Sequence, residues 1–120
     1  HINPNDAAAR DLKNGDVVRV HNGRGACLAG VVMDPALRSG VVQMSTGAWY
    51  DPEDPSQPNS LCKHGNPNVL TRDKGTSKLG QGPTAHTCMV NVELYRKALP
   101  RVTAHEPPEI LRPQKKRYDA

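Results

Sequence analysis

Most of the side chains that could do chemistry in this chain lie in one polar stretch, residues 61–82. It has the sequence LCKHGNPNVLTRDKGTSKLGQG and shows little hydrophobic periodicity. A structureless segment longer than about 12–15 residues is uncommon in a compact domain and is usually functional. Because amide, hydroxyl and ammonium groups occur together here, the composition favours binding of a large, polar, phosphate-bearing ligand over formation of a core.

Three kinds of group in this stretch suit such a ligand. Amides both donate and accept hydrogen bonds, as the edge of a pterin or guanine ring requires. Cationic side chains offset phosphate charge, and glycines let the backbone approach a ligand closely. The candidates are Asn66, Asn68, Thr71, Ser77 and Gln81 for hydrogen bonds, and Arg72 and Lys74 for charge. The alternative is a solvated loop held by its own side-chain hydrogen bonds.

The chain offers no convincing catalytic group. Ser45 or Ser77 could serve as a nucleophile with His64 or His86 as its base, but neither serine lies in a GxSxG motif. We therefore expect no catalytic residue.

A metal site is not expected either. The acidic run 51–54 lacks the spacing of a calcium loop. The three cysteines, Cys27, Cys62 and Cys88, are widely separated and form no CxxC pair. Cys27 and Cys88 fall in apolar segments and should pack as small hydrophobic residues, whereas Cys62 lies in the polar stretch and could be accessible.

Composition limits the classes of partner. The net charge is +4 and the pI about 9.2, partly because Arg112, Lys115, Lys116 and Arg117 lie near the end of the chain. No aromatic residues are interleaved with them for base stacking, so we predict a solvated tail and no nucleic-acid binding. No apolar run approaches the roughly 18 residues of a transmembrane helix, so we expect no membrane partner.

The elements that must position the polar stretch are short. Asn3 and Pro4 are typical of a helix start, so we predict a helix over residues 6–13. Apolar residues alternating with polar ones, and Val-rich runs between glycine turns, predict strands. We place strands at residues 16–21, 26–33, 41–44 and 86–94, the last closing the sheet begun by the first three.

This pattern favours a mainly β domain built as a small barrel. Phe is absent and Trp49 is the only Trp, so its core must be aliphatic. We assign residues 1–98 to this domain. Residues 99–120 contain several prolines and the basic cluster, and we assign them to a C-terminal tail without regular structure.

Residues 2–95 resemble the C-terminal cofactor-binding domain of the dimethyl sulfoxide reductase family of molybdenum enzymes. The opening INPNDAAARDLKNGDVVRVHNGRG is similar to the family pattern of helix, Gly-Asp, strand and glycine turn. The motifs GAWYDP, GNPNVLT and GTSKL look like those of trimethylamine N-oxide, dimethyl sulfoxide and biotin sulfoxide reductases.

The resemblance implies a six-stranded double-psi β-barrel with short helices and a long ligand-binding loop. It implies that the domain binds bis-molybdopterin guanine dinucleotide, with molybdenum ligated through upstream domains of a parent enzyme that reduces N-oxides or S-oxides. On its own, such a domain is expected to bind and orient the cofactor, to be monomeric and not to catalyse. The oxide substrate, the electron donor and the cellular compartment stay open.

The resemblance also implies residue roles. Asn68 and Thr71 match the shared element beside the pterin and dinucleotide, and His64 and Asn66 match the loop before it. Trp49 and Tyr50 either line the same site or only cover the barrel rim. Further members are Ser77 and Gln81 as polar contacts, and Arg72 and Lys74 by their charge.

A second class of function is a stand-alone double-psi barrel that acts as a binding or adaptor module without a molybdenum partner. Such a module would not need the GNPNVLT loop. A self-processing decarboxylase with this fold needs a Gly-Ser cleavage pair, and the sequence has none.

Overall fold

The computed structural model describes residues 1–84 and 88–113 of the chain. Its regular elements are, in chain order, helix α1 (Pro4–Ala8), strand β1 (Val17–His21), strand β2 (Ala26–Gly30), a 3₁₀ helix (Pro67–Val69) and strand β3 (Asn91–Leu94). The predicted class, mainly β with short helices, is confirmed. No helix within the described ranges is long and apolar enough to cross a membrane.

The three strands form one antiparallel sheet in the order β2-β1-β3. Strand β1 pairs with β2 from Val17 opposite Gly30 to His21 opposite Ala26, and with β3 from Val18 opposite Leu94. The pairing of β1 with β3 places the late strand beside the first one, as predicted.

One face of this sheet supplies the core. Val18 and Val20 are buried on β1, and the alternate residues Val92 and Leu94 of β3 are partly buried against them. The core is aliphatic, as predicted, and consists of Ile2, Ala7, Leu12, Val18, Val20, Cys27, Val31, Cys62 and Leu70.

Single-residue bridges extend the sheet without closing it. Cys62 lies parallel to Cys27 at the free edge of β2, and Pro52 lies antiparallel to Cys62. Ile2 bridges both Met33 and Val42. Within residues 1–84 and 88–113 the result is an open three-stranded sheet with short additions, and the six-stranded barrel stays a prediction.

The predicted helix over residues 6–13 is misplaced. Asn3 caps α1 with its side chain, which accepts from Asn5 N, and the helix ends at Ala8. Asp11 adopts a left-handed φ of 52°, and the Leu12 amide turns back to donate to Ala7 O at 2.9 Å. The helix stops early because this turn returns Leu12, which is 3 % exposed, to the core.

The predicted second strand, residues 26–33, is too long. The predicted third strand, residues 41–44, is wrong. Strand β2 ends at Gly30 because its partner β1 begins at Val17, opposite Gly30. Residues 41–44 form no strand, only the bridge from Val42 to Ile2. A ladder needs a partner several residues long, and helix α1 begins two residues after Ile2.

The predicted closing strand over residues 86–94 is confirmed only in its second half. His86 lies outside the described residues. Cys88 and Met89 bond to other parts of the chain: Cys88 donates to Leu70 O, and Met89 O accepts from the Asn22 side chain. Residues 99–113 contain neither helix nor strand, and the domain boundary after residue 98 stays a prediction.

Gly25 allows close packing between the β1–β2 turn and the 3₁₀ helix. A Cβ atom on Gly25 would lie 2.6 Å from Val69 O, whereas a Cβ on Gly23 would meet nothing within 4 Å. Overpacking of this kind typically costs about 1–3 kcal/mol. We expect Gly25→Ala to lower the free energy of unfolding by that amount in chemical denaturation. Gly23→Ala is the matched control and should stay close to wild type; equal values for the two variants would contradict the packing argument.

Candidate functional site

The polar loop is attached to the sheet at Cys62. The Cys62 amide donates to Ala26 O at 2.9 Å, and its carbonyl accepts from Leu28 N at 3.0 Å. Cys62 is fully buried beside Cys27, so the expectation that it could be accessible is wrong. Burial, followed by the neighbouring Cys62, raises the pKa of the Cys27 thiol to about 12. Cys27 and Cys62 are both fully buried and therefore act as core residues, since buried structural thiols are inert.

A second attachment forms at the carbonyl of Leu70. This oxygen accepts from Asn22 Nδ2 at 2.8 Å, from Arg24 Nε at 2.9 Å and from Cys88 Sγ at 2.9 Å. Leu70 is itself 4 % exposed. The loop is thus held on both sides of residues 63–69 by the β1–β2 hairpin and the approach to β3.

Between these attachments lies the first group of predicted site residues. Asn66 caps the 3₁₀ helix, and its Oδ1 accepts from Asn68 N at 2.9 Å. The Thr71 hydroxyl donates to Asn68 O at 3.2 Å. The Asn68 side chain is exposed and forms no hydrogen bond with the described residues, so its amide is available to a ligand. Gly65, just before Asn66, has a left-handed φ of 81° and lies so close to strand β2 that a Cβ atom would be 2.9 Å from Leu28 O.

Thr71 also lines a cleft of about 330 Å³ between the loop and the sheet. Its walls come from the 3₁₀ helix, from strand β1 and from the segments before β3 and after β2. They are Val20, Val42, Gln43, Met44, Pro67, Leu70, Cys88 and Val90. The cleft is mainly apolar with polar groups at its border, a composition usual for small-molecule sites.

The second group lies on the turn over residues 75–83. Gly75 and Pro83 form a bridge, and the Thr76 amide donates to Gly82 O at 2.7 Å. Ser77 Oγ accepts from Gly80 N at 2.8 Å, and Gln81 Nε2 donates to Lys78 O at 3.2 Å. These two polar side chains therefore stabilise the turn itself.

Arg72 and Lys74 lie at the base of this turn and are exposed. Together with Gln81 they line a depression of about 240 Å³. Neither Arg72 nor Lys74 forms an ion pair within residues 1–84 and 88–113. Asp73 also lines the depression, so the two cations leave a net positive charge there, which suits an anionic ligand.

The third group contains the predicted aromatic residues. Trp49 is 64 % exposed and Tyr50 is 52 % exposed. His64 Nδ1 lies 3.2 Å from Trp49 O. The ring of His105 lies 5.3 Å from the Trp49 ring and 4.9 Å from the His64 ring, the latter pair edge to face. Trp49, His64 and His105 therefore form a ring cluster.

Beneath this ring cluster lies a buried carboxylate, Asp51, which is 5 % exposed. It accepts from the Thr103 amide at 2.6 Å and from the Thr103 hydroxyl at 2.7 Å, and Lys63 Nζ is 3.5 Å away. Burial raises the pKa of Asp51, but the Thr103 hydrogen bonds and the Lys63 charge outweigh it, so the pKa lies below its ordinary value. Asp51 is therefore ionised at neutral pH.

Sequence reasoning missed the residues that hold the loop in place. The sequence indicates only a glycine turn at Asn22, although a polar side chain in a hairpin can also bond to another segment. Asp51 belongs to the acidic run 51–54, whose composition does not indicate burial. For Thr103 and His105 the sequence contains no recognisable signal, because their partners are far away along the chain.

Comparison with known proteins now adds to this geometry. Residues 1–89 match the family model described as "Molydopterin dinucleotide binding domain". The chain belongs to this family. The resemblance inferred from the sequence is thereby confirmed, and so is the predicted cofactor class, a molybdopterin dinucleotide.

Individual relatives of this molybdopterin dinucleotide-binding domain agree with the family. The chain is 53% identical over 102 residues to Trimethylamine-N-oxide reductase 1 of Escherichia coli (strain K12), covering 85% of this chain and 12% of that protein. It is 51% identical over 107 residues to Trimethylamine-N-oxide reductase of Salmonella typhi, covering 89% of this chain and 13% of the relative. It is 51% identical over 94 residues to Dimethyl sulfoxide/trimethylamine N-oxide reductase of Rhodobacter capsulatus, covering 78% of this chain and 11% of the relative.

The attachment at Leu70 yields a direct test. Asn22→Ala removes the donor to Leu70 O and Met89 O, and the acceptor of the Arg24 amide. Leu70 O keeps its donors from Arg24 and Cys88, and the other two lost bonds are exposed, so we expect a loss of about 0.5–1.5 kcal/mol in unfolding free energy, the net value of a typical hydrogen bond. We also expect faster amide exchange in residues 66–71. Asn5→Ala is the control, since the Asn5 side chain is exposed on α1; unchanged exchange in Asn22→Ala would refute the role of Asn22.

The lowered pKa of Asp51 predicts a pH dependence. A carboxyl group with a depressed pKa in the folded state contributes stability above its unfolded pKa, and this is lost as the pH falls through the folded value. We therefore expect Asp51→Asn to melt below wild type at pH 7, and the difference to shrink below the ordinary pKa of 3.8. Thermal melts between pH 7 and pH 2 measure it, with the exposed neighbour substitution Glu53→Gln as control. A gap that stays constant over this range would contradict the assignment.

Proposed function

We propose that this domain binds and orients bis-molybdopterin guanine dinucleotide as the C-terminal domain of a molybdenum oxidoreductase that reduces N-oxides or S-oxides. The observation that carries the proposal is the family match over residues 1–89, which includes the whole polar loop. The relatives are named as reductases of trimethylamine N-oxide or dimethyl sulfoxide, and the chain spans 11–13% of their length. We assign the reductase activity to a parent enzyme and propose that its upstream domains are the partner of this one.

The donor set near the 3₁₀ helix fits one end of the cofactor. Asn68 offers an exposed amide that can both donate and accept, and Thr71 presents its side chain at the border of the cleft. Such groups can pair with the edge of a heteroaromatic ring. We assign Asn68 and Thr71 to direct contact, with His64 and Asn66 beside them.

The turn over residues 75–83 fits the charged part of the same ligand. Arg72 and Lys74 are exposed cations at its base, without an ion-pair partner in the described chain, so they are available to phosphate oxygens. We assign Ser77 and Gln81 to polar contacts from the turn. Trp49 and Tyr50 are assigned to the rim, where their exposed rings can cover the ligand.

The roles of the cofactor and of the protein differ. The cofactor, when bound, supplies the oxygen-atom-transfer chemistry, and the protein supplies position and electrostatics. The residues of this chain bind, orient and partly cover the ligand. We propose that neither a catalytic residue nor a molybdenum ligand comes from this chain, that it is monomeric as an isolated fragment, and that it makes no nucleic-acid or membrane contacts.

We also propose the six-stranded double-psi β-barrel as the fold of the domain, over residues 1–98, with residues 99–120 as a tail. Single-residue bridges support it: Cys62 bridges Cys27 of β2 and also Pro52, and Ile2 bridges Met33 and Val42, so further short segments run beside one another in β geometry. An apolar cleft of about 260 Å³ on the inner face of the sheet is also compatible with additional packing.

The test of the cofactor site uses the full-length parent with Asn68→Ala or Thr71→Ala. Loss of one polar partner typically costs about 1–3 kcal/mol, or roughly a 5- to 150-fold weakening. We expect lower molybdenum and guanine nucleotide content in the purified protein, at an unchanged melting temperature. Gln57→Ala serves as control, because Gln57 is an exposed amide outside the loop.

Two outcomes would contradict the proposal. Full cofactor content and activity in both variants would refute the assignment of Asn68 and Thr71. Absence of molybdenum and guanine nucleotide from the wild-type parent would favour the stand-alone binding or adaptor module instead.

A further inference from the structure

A segment outside the matched region packs onto the proposed cofactor site. The family match ends at residue 89, whereas Thr103 donates both its amide and its hydroxyl to Asp51. The two donors reach different oxygens of the carboxylate, at 2.6 and 2.7 Å. This bidentate arrangement fixes the orientation of residues near Thr103 relative to the loop.

The carboxylate is buried together with a cation. The Lys63 side chain is 11% exposed and that of Asp51 is 6% exposed. Lys63 Nζ donates to Thr103 Oγ1 at 3.2 Å and lies 3.5 Å from Asp51 Oδ1. Removal of one member leaves the others buried without full compensation, which is costly. Thr103 is therefore the residue through which residues 99–106 are hydrogen-bonded to this buried pair.

The turn that follows carries His105 to the ring cluster. The Glu106 amide donates to Thr103 O at 3.0 Å, and Arg101 forms an ion pair with Glu106. His105 thereby reaches both Trp49 and His64. Both of these residues belong to the proposed cofactor site, and Trp49 is largely exposed except for this contact.

We propose that residues 99–106 form a clamp that holds the ring cluster in place, and that His105 is a further positioning residue of the cofactor site. The inference rests on the proposed function, since it concerns how the rim of that site is held. The Asp51–Thr103 hydrogen bonds fasten the clamp, and His105 restrains Trp49 and His64. A rim ordered before binding loses less conformational entropy when the ligand arrives, which slows ligand release.

The experiment uses the full-length holoenzyme and two pairs of variants. Thr103→Val removes the hydroxyl at nearly constant volume, whereas Thr103→Ser keeps it. His105→Ala removes the ring, whereas His105→Phe keeps a ring for edge-to-face contact. Glu109→Ala is the control for an exposed residue just beyond the clamp. The two readouts are amide exchange by mass spectrometry and the rate at which guanine nucleotide and molybdenum leave the protein.

We expect Thr103→Val to speed amide exchange by about tenfold or more, both in residues 99–106 and in residues 49–51 and 62–64. Cofactor release should become faster in Thr103→Val and in His105→Ala. Thr103→Ser, His105→Phe and Glu109→Ala should stay close to wild type. Unchanged amide exchange in strand β1 in Thr103→Val and His105→Ala distinguishes loss of the clamp from a general loss of folding.

Two results overturn the clamp. The first is faster exchange confined to residues 99–106, with residues 49–51 and 62–64 unchanged. The second is wild-type cofactor release in both Thr103→Val and His105→Ala. If Thr103→Val also speeds exchange in strand β1, the whole domain is unfolding in that variant. The clamp is then tested by His105→Ala alone, because His105 is exposed and its replacement should not unfold the domain.

The failure of the proposed function is distinguishable from failure of the clamp. Asn68→Ala and Thr71→Ala are measured beside the clamp variants. If these two release cofactor early while the clamp variants do not, the cofactor site is supported and the clamp is refuted. If these two retain cofactor like wild type, the assignment of Asn68 and Thr71 fails. The clamp is then tested by the amide exchange of residues 49–51 and 62–64 in the clamp variants.

Discussion

The free edge of strand β2 is the constraint on which the rest of the structure depends. An exposed strand edge presents unpaired amides and carbonyls, and these must be satisfied. Here the polar loop does so, because Cys62 pairs with Ala26 and Leu28. Burial of Cys62 against Cys27 adds apolar contact to the pairing. A loop without hydrophobic periodicity is thus attached to the sheet at Cys62, in addition to its attachment at Leu70.

From this attachment the two halves of the loop differ in what holds them. Residues 62–70 begin and end at buried positions, and the Leu70 carbonyl is saturated by three donors. Residues 72–81 have no buried member and are held by their own turn contacts. The backbone of the first half is held at both ends, which suits recognition of a ring edge. The cations Arg72 and Lys74 are freer, which suits phosphate, whose charge tolerates several geometries.

Much of the candidate site was accessible from the sequence. The polar composition of residues 61–82 indicated a ligand-binding loop, and the motif GNPNVLT indicated the family. The sequence did not reveal the residues that hold the loop in place. The bonds of Asn22 to Leu70 and Met89, and those between Asp51 and Thr103, join residues between 48 and 67 positions apart along the chain. Composition and periodicity describe neighbours in sequence, so a side chain whose partner is distant leaves no local pattern.

The sequence by itself determined the local features: the cap at Asn3, the alternating burial of β1, the pairing-competent β3 and the aliphatic core. These depend on periods of two residues and on the chemistry of single positions, which are visible in one segment. Only the tertiary structure decided where strands end and what stabilises the loop. Residues 41–44 have a strand-like composition but only the short partner at Ile2, and Asp51 has a surface-like sequence context but a buried environment. A strand requires a partner of matching length and a carboxylate takes its properties from what surrounds it, and both are set by segments far away along the chain.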